Sequence, residues 1–302
     1  MPLTQGGPKT LWFFTGVFLF MGVLVIAAPT HAMPVALFLP ALYALFSEQV
    51  SPYIKPLVAA GIPATLVFVP GFQQGAVLYA SLIACGLLIS RSLSRKDPGL
   101  AVFLPSVLLI LLFVITVMIM AMQENIQLGA VISRWVSQVM DQMELVYERV
   151  LAASDFAEFR IGRPAMEARL AELFWGIVAS SILSVMWLNV LIVSRVIRTV
   201  PLSSWRGPDW MVAVFILAAV CILVSHRVVH VFGINLMIIV SQIYFFQGLA
   251  IVAAFMVGYN WSKVIRWVIY ILILSQIYIM IAVAALGLFD TWFNFRKKIR
   301  IS

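Results

Sequence analysis

Long apolar runs, separated by short polar stretches, set the pattern of this chain. Runs near 20 residues predict helices that cross a bilayer, because ~20 residues of helix cover a hydrocarbon layer ~30 Å thick. A transmembrane barrel would instead show alternation over ~10 residues. We predict nine apolar segments, which are Leu11–Ala28, Pro34–Phe46, Pro56–Val69, Gly75–Ile89, Ala101–Met122, Phe174–Val193, Trp210–Val224, Ile234–Gly258 and Val264–Leu288.

The first three segments each allow two interpretations. Leu11–Ala28 resembles a signal peptide, but its length and the segments that follow it favour a retained first helix. Pro34–Phe46 and Pro56–Val69 are shorter than the ~17 residues that an untilted crossing needs, and prolines punctuate both. They are either short, kinked or re-entrant helices, or ordinary tilted helices with proline in the first turn.

Residues 123–173 have a different character, because they hold most of the acidic residues of the chain. Apolar residues such as Val136, Val139 and Met143 recur there at helical spacing, which predicts an amphipathic helix outside the bilayer core. Arg160–Pro164 is predicted to end this helix before a second helix leads into the membrane. The predicted parts are N-terminal membrane helices in 1–122, the amphipathic segment in 123–173, and C-terminal membrane helices with a basic tail in 174–302.

Composition identifies the class of protein. The hydrophobic fraction is 63%, the charged fraction is 11%, and the mean hydropathy is +1.06. A soluble chain has about 45–50% apolar and about 25% charged residues, so this chain lacks the polar surface of a water-soluble fold. We predict an all-α, polytopic transmembrane bundle of eight or nine spans, with an extramembrane amphipathic segment and the lipid bilayer as its main partner.

The net charge of +8 is better explained by the orientation of the chain in the membrane than by a particular kind of binding partner. Lysine and arginine lie mostly in short segments between apolar runs, which the positive-inside rule and anionic lipid explain, so nucleic acid is not a predicted partner. With a cytoplasmic amino terminus, 91–96, 195–206 and 263–266 fall inside and 123–173 falls outside. Nine crossings would leave the tail 296–300 outside, so we expect about eight crossings and a cytoplasmic tail.

Polar side chains within the predicted spans are candidate ligand-binding residues. Asn235 and Gln242 lie seven residues apart and share a helical face. A ligand in an apolar cavity takes its orientation from a few such groups, but hydrogen bonds between helices, worth ~0.6 kcal/mol each, are the alternative. The candidates are Asn235, Gln242, Gln247, Ser275 and Gln276.

The end of the last predicted span supplies a second candidate site. Asp290 and Trp292 precede a cationic run that begins at Arg296. They form either a docking point for a cytoplasmic partner, or an aromatic-belt anchor in which the carboxylate pairs with Arg296 or Lys297.

Catalytic and metal-binding patterns are missing from the sequence. The chain has no nucleophile–base pair, no paired acids and no HExxH pattern, so we predict that it is not an enzyme. His226 and His230 could share one helical face, but no third ligand lies nearby, so no metal and no cofactor are predicted.

The C-terminal part resembles a known family in three motifs. These are Pro201–Trp210 ahead of a span, Asn235–Ala250 within one, and Gly287–Arg296 at the end. Over roughly residues 195–300 they resemble the bacterial YybS-like family of predicted membrane proteins, which implies the bacterial inner membrane. The resemblance also implies a distant similarity to the S components of energy-coupling-factor vitamin transporters. Those are bundles of about six helices that bind a vitamin and work with a coupling subunit and two ATPases.

Two functions remain as hypotheses. The first is an S-component-like subunit that binds a small molecule and works with a membrane partner. The second is a scaffold without a ligand, which organises a membrane complex through the amphipathic segment and the basic tail, with a partner protein or by self-association. A buried polar cavity would favour the first, and solidly packed helices with a dimeric outer segment would favour the second.

Overall fold

The computed structural model describes residues 36–47, 73–197 and 205–295, together with residues 16, 17, 20 and 34. These ranges contain helices and short connections without a strand, which confirms the all-α class for the part described. In chain order the helices are α1 (Leu39–Ser47), α2 (Gln73–Ser94), α3 (Pro98–Gln123), α4 (Leu128–Val150), α5 (Ala153–Ile197), α6 (Met211–Leu223), α7 (Arg227–Gly258), α8 (Lys263–Ser275) and α9 (Ile277–Phe293).

Four of these helices are long and apolar enough to cross a membrane, or five if the bent pair α8–α9 counts as one span. The four stretches are Gly75–Ser94 in α2, and α3, α5 and α7 over their full lengths. The chain is therefore a multi-spanning helical membrane protein, and the predicted count of eight or nine spans is not supported by the described residues.

The other predicted segments explain the lower count. Pro56–Val69 and nearly all of Leu11–Ala28 lie outside the described residues. In place of Pro34–Phe46 the structure has α1, which is 9 residues long, and in place of Trp210–Val224 it has α6, which is 13 residues long. At ~1.5 Å per residue, neither helix covers ~30 Å of hydrocarbon.

The last predicted span, Val264–Leu288, is broken. Gln276 has an extended backbone (φ −125°, ψ 113°), and α8 and α9 meet there at 105°. The hydroxyl of Ser275 donates to the carbonyl of Leu272, and the carbonyl of Gln276 accepts from the N–H groups of Ile279 and Met280. These bonds satisfy polar groups at the break. The break contains neither glycine nor proline, so the sequence carries no local signal that would divide this apolar segment into two helices.

The break predicted at Arg160–Pro164 is also wrong. α4 ends at Val150, and α5 then runs for 45 residues with Pro164 inside it. The helix continues through Pro164 although proline lacks one backbone donor. Ion pairs from Arg163 to Asp141 and Glu144 hold this part of α5 against α4 and so stabilise the continuous helix. At about 67 Å, α5 is far longer than a bilayer core, so only part of it can lie in the hydrocarbon, and its apolar stretch from residue 174 has the composition of that part.

The chain divides into two compact units. The first contains Met1–Leu109, Ile182–Pro208 and Gln242–Ser302, and the second contains Ile110–Ser181 and Asp209–Ser241. In the second unit, the rings of Phe113, Trp135, Phe174 and Trp175 cluster with centroids 5.6–6.2 Å apart. The core of the first unit includes the fully buried side chains of Tyr43, Tyr79, Phe46, Ile89, Ile251 and Met256. The boundaries predicted at residues 122 and 173 stay predictions.

Candidate functional site

The three motifs that carry the family resemblance meet in the first unit at the side chain of Gln247. This amide lies on α7 and is 1% exposed. Its Oε1 accepts from the N–H of Gly207 at 3.1 Å, and its Nε2 donates to Oδ2 of Asp290 at 3.4 Å. One buried glutamine therefore connects the segment after α5 to the end of α9.

The side chain of Asp290 caps the C-terminal end of α9. This carboxylate is 1% exposed, and its Oδ1 accepts from the N–H of Phe295 at 2.8 Å. Asn294 between them adopts a left-handed conformation (φ 45°), which asparagine tolerates after a helix. Arg206 adds a second connection, because its guanidinium donates to the carbonyl of Thr291 at 2.9 Å. The predicted partner Arg296 lies outside the described residues, and so does Lys297.

Two glycines let α7 and α9 approach closely beside this site. A Cβ on Gly287 would lie 1.9 Å from the carbonyl oxygen of Tyr244, and one on Gly248 would lie 1.9 Å from that of Val283. No side chain fits at such distances, so the backbones themselves are in contact. Small residues at a helix interface are what close packing in membranes requires.

A second amide, Asn189, fastens α5 to the start of α1. Its Oδ1 accepts from the N–H of Ala41 at 2.8 Å, and its Nδ2 donates to the carbonyl of Leu37 at 2.8 Å. Nearby on α5 and α7, the rings of Trp187 and Phe246 stack with centroids 4.8 Å apart. The polar and aromatic groups of this region join helices to one another.

Asn235, the first candidate on α7, does the same in the second unit. Its Oδ1 accepts from the N–H of Gly176 at 2.5 Å, and its Nδ2 donates to the carbonyl of Glu172 at 2.7 Å and to that of Val231 at 2.8 Å. Residues 172 and 176 lie about one turn apart on α5, so this one amide contacts two successive turns of that helix. Gly176 makes room for it, because a Cβ there would lie 2.9 Å from Oδ1.

The remaining candidates lie in less enclosed positions. Gln242 is half-buried on α7, Ser275 and Gln276 are exposed at the break between α8 and α9, and Trp292 is 58% exposed. Of the predicted residues, the structure places Gln247 and Asp290 in contact. The ligand-binding role of the five polar candidates stays a prediction. Within the described ranges, no three His, Cys, Asp or Glu side chains are placed to hold a metal ion.

A second notable arrangement lies in the hairpin, which we define as α4 together with residues 153–173 of α5. Arg163 donates to Glu167 at 2.8 Å and also contacts Asp141 and Glu144, while Arg160 lies 3.2 Å from Glu144. The hydrogen bonds to Glu167 first, and then to Asp141 and Glu144, raise the pKa of Arg163. The guanidinium of Arg163 thus connects the two arms of the hairpin through two carboxylates of α4, and Arg160 adds one further ion pair between the arms.

The apolar face of α4 extends beyond the part that α5 covers. Ile132, Val136 and Met140 are buried and pack with side chains that include Phe159 and Leu170. Three valines on α4 are exposed, although they follow the same helical spacing. We call these residues the valine stripe: Val139, Val146 and Val150, which are 54%, 56% and 74% exposed.

Replacing Arg163 with glutamine is expected to loosen the hairpin at neutral pH. The carboxylates of Asp141, Glu144 and Glu167 would lose the cation that they share, and their like charges would then repel one another. Limited proteolysis at the α4–α5 connection measures the effect. Arg160→Gln is the control and should change little, and equal sensitivity of the two variants would contradict the central role of Arg163.

The sequence indicated Gln247 and Asp290 as candidate residues, but it did not indicate the residues that they and the neighbouring helix ends contact. Gly207 and Arg206 belong to a motif that the sequence displayed, but nothing in it indicated that they contact α7 and α9. Arg163 had one local signal, since Glu167 follows it at the spacing of a helical ion pair. The pair between Arg227 and Glu172, 2.8 Å apart, had none, because the two residues are distant in the chain.

Comparison with known proteins gave one finding. The family model described as "Predicted membrane protein (DUF2232)" matches residues 16–291. That range includes α1 to α8 and most of α9, with Gln247, Asp290 and the hairpin. No match was found among curated proteins or among solved structures.

Proposed function

Because the chain belongs to the DUF2232 family of predicted membrane proteins, we propose that it is a non-catalytic scaffold of the bacterial inner membrane. In this proposal the transmembrane helices anchor the hairpin, and the hairpin organises a complex by pairing with a second copy of itself. The observation that carries the proposal is the valine stripe, an uncovered apolar surface on a cross-linked hairpin outside the apolar part of the chain.

The spacing of the stripe supports pairing between helices. Ile132, Val136, Val139, Met143, Val146 and Val150 follow one another at alternating intervals of four and three residues. That alternation is the heptad pattern of coiled coils, in which β-branched residues favour two strands. The first two positions and Met143 pack in the cluster between α4 and α5, and the valine stripe occupies the other three positions. A second copy would cover the stripe with an identical stripe, as an isologous interface requires.

The use of the polar residues also supports a scaffold. The amides of Asn189, Asn235 and Gln247 form hydrogen bonds to other helices or to a connecting segment, so their role in the structure is to hold these segments together. A binding subunit needs polar groups that reach a ligand. The S-component-like function that the YybS-like resemblance implies is the alternative, with Gln242 as its best remaining candidate.

Native mass spectrometry of the detergent-extracted chain tests both functions. A scaffold should appear as a dimer without a bound small molecule, and Val146→Glu with Val150→Glu should convert it to a monomer, because two charges would then be buried. Gln138→Glu, exposed on the same helix beside the stripe, is the matched control and should leave the dimer intact.

Other results of the same experiment would contradict the scaffold or support the binding subunit. A monomeric parent, or a dimer that survives both glutamates, would contradict self-association through the stripe. A small molecule that copurifies with the parent and is lost in Gln242→Leu would establish the binding subunit instead. If Gln242 only bridges helices, the same substitution should alter stability by about 1 kcal/mol or less.

A further inference from the structure

α7 and α9 form an antiparallel pair of helices in the first unit. Their backbones meet at Gly287 with Tyr244 and at Val283 with Gly248, so a step back along α9 is a step forward along α7. By this register α9 begins about one turn before the level at which α7 ends. With 17 residues, α9 reaches the ~17 residues that a crossing needs, so it can pass through the bilayer beside α7 without α8.

α8 lies across the end of this pair. Only the connection Tyr259–Ser262 separates it from α7, and it meets α9 at 105°, so it is nearly perpendicular to α9. Arg195 in the last turn of α5 lies within electrostatic reach of Tyr270 on α8, so the end of α5 is also nearby. A helix that runs nearly at right angles to helices crossing the bilayer lies close to the plane of the membrane.

The residues of α8 separate into a polar stripe and an apolar face. Lys263, Arg266 and Tyr270 follow one another at intervals of three and four residues, so they form one stripe along the helix. A helix of this kind lies in the membrane interface, with its polar stripe among headgroups and its apolar face among acyl chains. The apolar face consists of exposed side chains, which are Val264, Ile265, Val268, Ile271 and Leu272.

Aromatic residues surround the start of α8. Tyr259 and Trp261 are exposed in the connection before it, and Trp267 is exposed one turn into it. Tyrosine and tryptophan concentrate at membrane–water interfaces, because each combines an apolar ring with a polar group. Arg266 fixes α8 to this connection, since its Nε donates to the carbonyl of Trp261 at 2.9 Å. The start of α8 is thereby held at the level of the aromatic residues.

We propose that α8 is an interfacial helix, which lies flat in the headgroup region and binds the lipid surface through its apolar face. Its polar stripe faces the headgroups, where Lys263 and Arg266 meet the negative charge of phosphate. The predicted span Val264–Leu288 then contributes only α9 as a crossing. Two other arrangements would place α8 upright in the hydrocarbon, either as half of a broken span or as one arm of a re-entrant loop.

Nitroxide labels that report depth test this orientation on the full chain in phosphatidylcholine vesicles. Cysteine is introduced singly at Val264, Val268 or Ile271, which share the apolar face and are 72%, 57% and 63% exposed, so that labels there leave the fold intact. Cys221→Ala removes one native thiol, and Cys85 is buried and stays unlabelled. Accessibility to oxygen and to a water-soluble nickel chelate measures depth. The three labels should favour oxygen and differ in depth by no more than ~3 Å, because α8 rises little along the membrane normal.

Labels on α9 are the matched control. Ile277→Cys and Ile281→Cys are both exposed and only four residues apart, yet their depths should differ by ~6 Å along an upright helix. A change of ~10 Å between residues 264 and 271 would mean that α8 stands upright, and it would overturn the proposal.

The polar stripe provides a second measurement. Lys263→Cys should be more accessible to the nickel chelate than Val264→Cys, because the two neighbouring positions lie on different faces of α8. Equal accessibility at the two positions would contradict an interfacial helix. Labels at Val264, Val268 and Ile271 that favour the nickel chelate over oxygen would also overturn the proposal, since the apolar face would then lie in water.

Discussion

Replacing Gly287 with alanine should destabilise the protein by about 3 kcal/mol, at the upper end of the usual cost of overpacking a core. The new Cβ would lie 1.9 Å from the carbonyl oxygen of Tyr244. A backbone atom cannot rotate away as a flexible side chain can, so α7 and α9 must separate. Thermal unfolding of the purified protein in detergent measures the change.

Gly162→Ala is the control for this substitution. Gly162 also lies within a helix, but nothing stands within 4 Å of the position that its Cβ would take. Alanine should therefore stabilise the protein there by up to ~1 kcal/mol, because it favours helix more than glycine does. The two substitutions should have opposite signs, and stabilisation by Gly287→Ala as well would mean that α7 and α9 do not touch at Gly287.

Separation of α7 and α9 should also affect the polar site. Gln247 reaches Asp290 across this contact, at 3.4 Å. A shift of a few tenths of an ångström would already weaken that bond. Gly248→Ala should produce the same loss, and the double variant should lose less than the sum, because one separation of the helices relieves both clashes.

The helical class and several helix positions could be predicted from hydropathy, because burial in lipid leaves an apolar signal in the sequence. α3 closely matches the predicted Ala101–Met122, and the amphipathic character of residues 123–173 appears as α4 and the start of α5. The number of spans could not be predicted in this way. Hydropathy averages over a window and cannot distinguish a straight span from α8 and α9, which bend by 105° at a polar pair.

Proline and charge were misleading in the hairpin for a related reason. A proline after charged residues usually marks the end of a helix, yet α5 continues through Pro164. Contacts between Arg163 and residues of α4 oppose the local tendency to break. Such contacts join residues about 20 positions apart, so a local pattern does not show them.

The sequence predicted which polar residues matter at the candidate site, but it did not predict which residues they contact. The sequence indicates Gln247 as a polar group within a span, and it indicates Asp290 as a carboxylate at the end of the last span, beside aromatic and cationic residues. The two residues are therefore predicted in different sites, whereas the structure makes them partners of each other. Asn235 was selected as a ligand-binding residue, and its three hydrogen bonds join it to helices instead.

That use of Asn235 leads to the second large effect. Asn235→Leu should destabilise the protein by about 2 kcal/mol, more than the average of ~0.6 kcal/mol for one polar contact between membrane helices. Several bonds are lost at once, and Gly176 and Glu172 on α5 each lose a partner. Thermal unfolding in detergent measures the change, and Gln242→Leu on the same helix should cost about half as much or less.

The backbone of α5 gives this prediction a local signature. The N–H of Gly176 donates to Oδ1 of Asn235, and this bond is lost in Asn235→Leu. Hydrogen exchange at Gly176 should therefore be faster in Asn235→Leu than in the parent, whereas Gln242→Leu on the same helix should leave it unchanged. Equal exchange at Gly176 in Asn235→Leu and the parent would show that this hydrogen bond does not protect the backbone of α5.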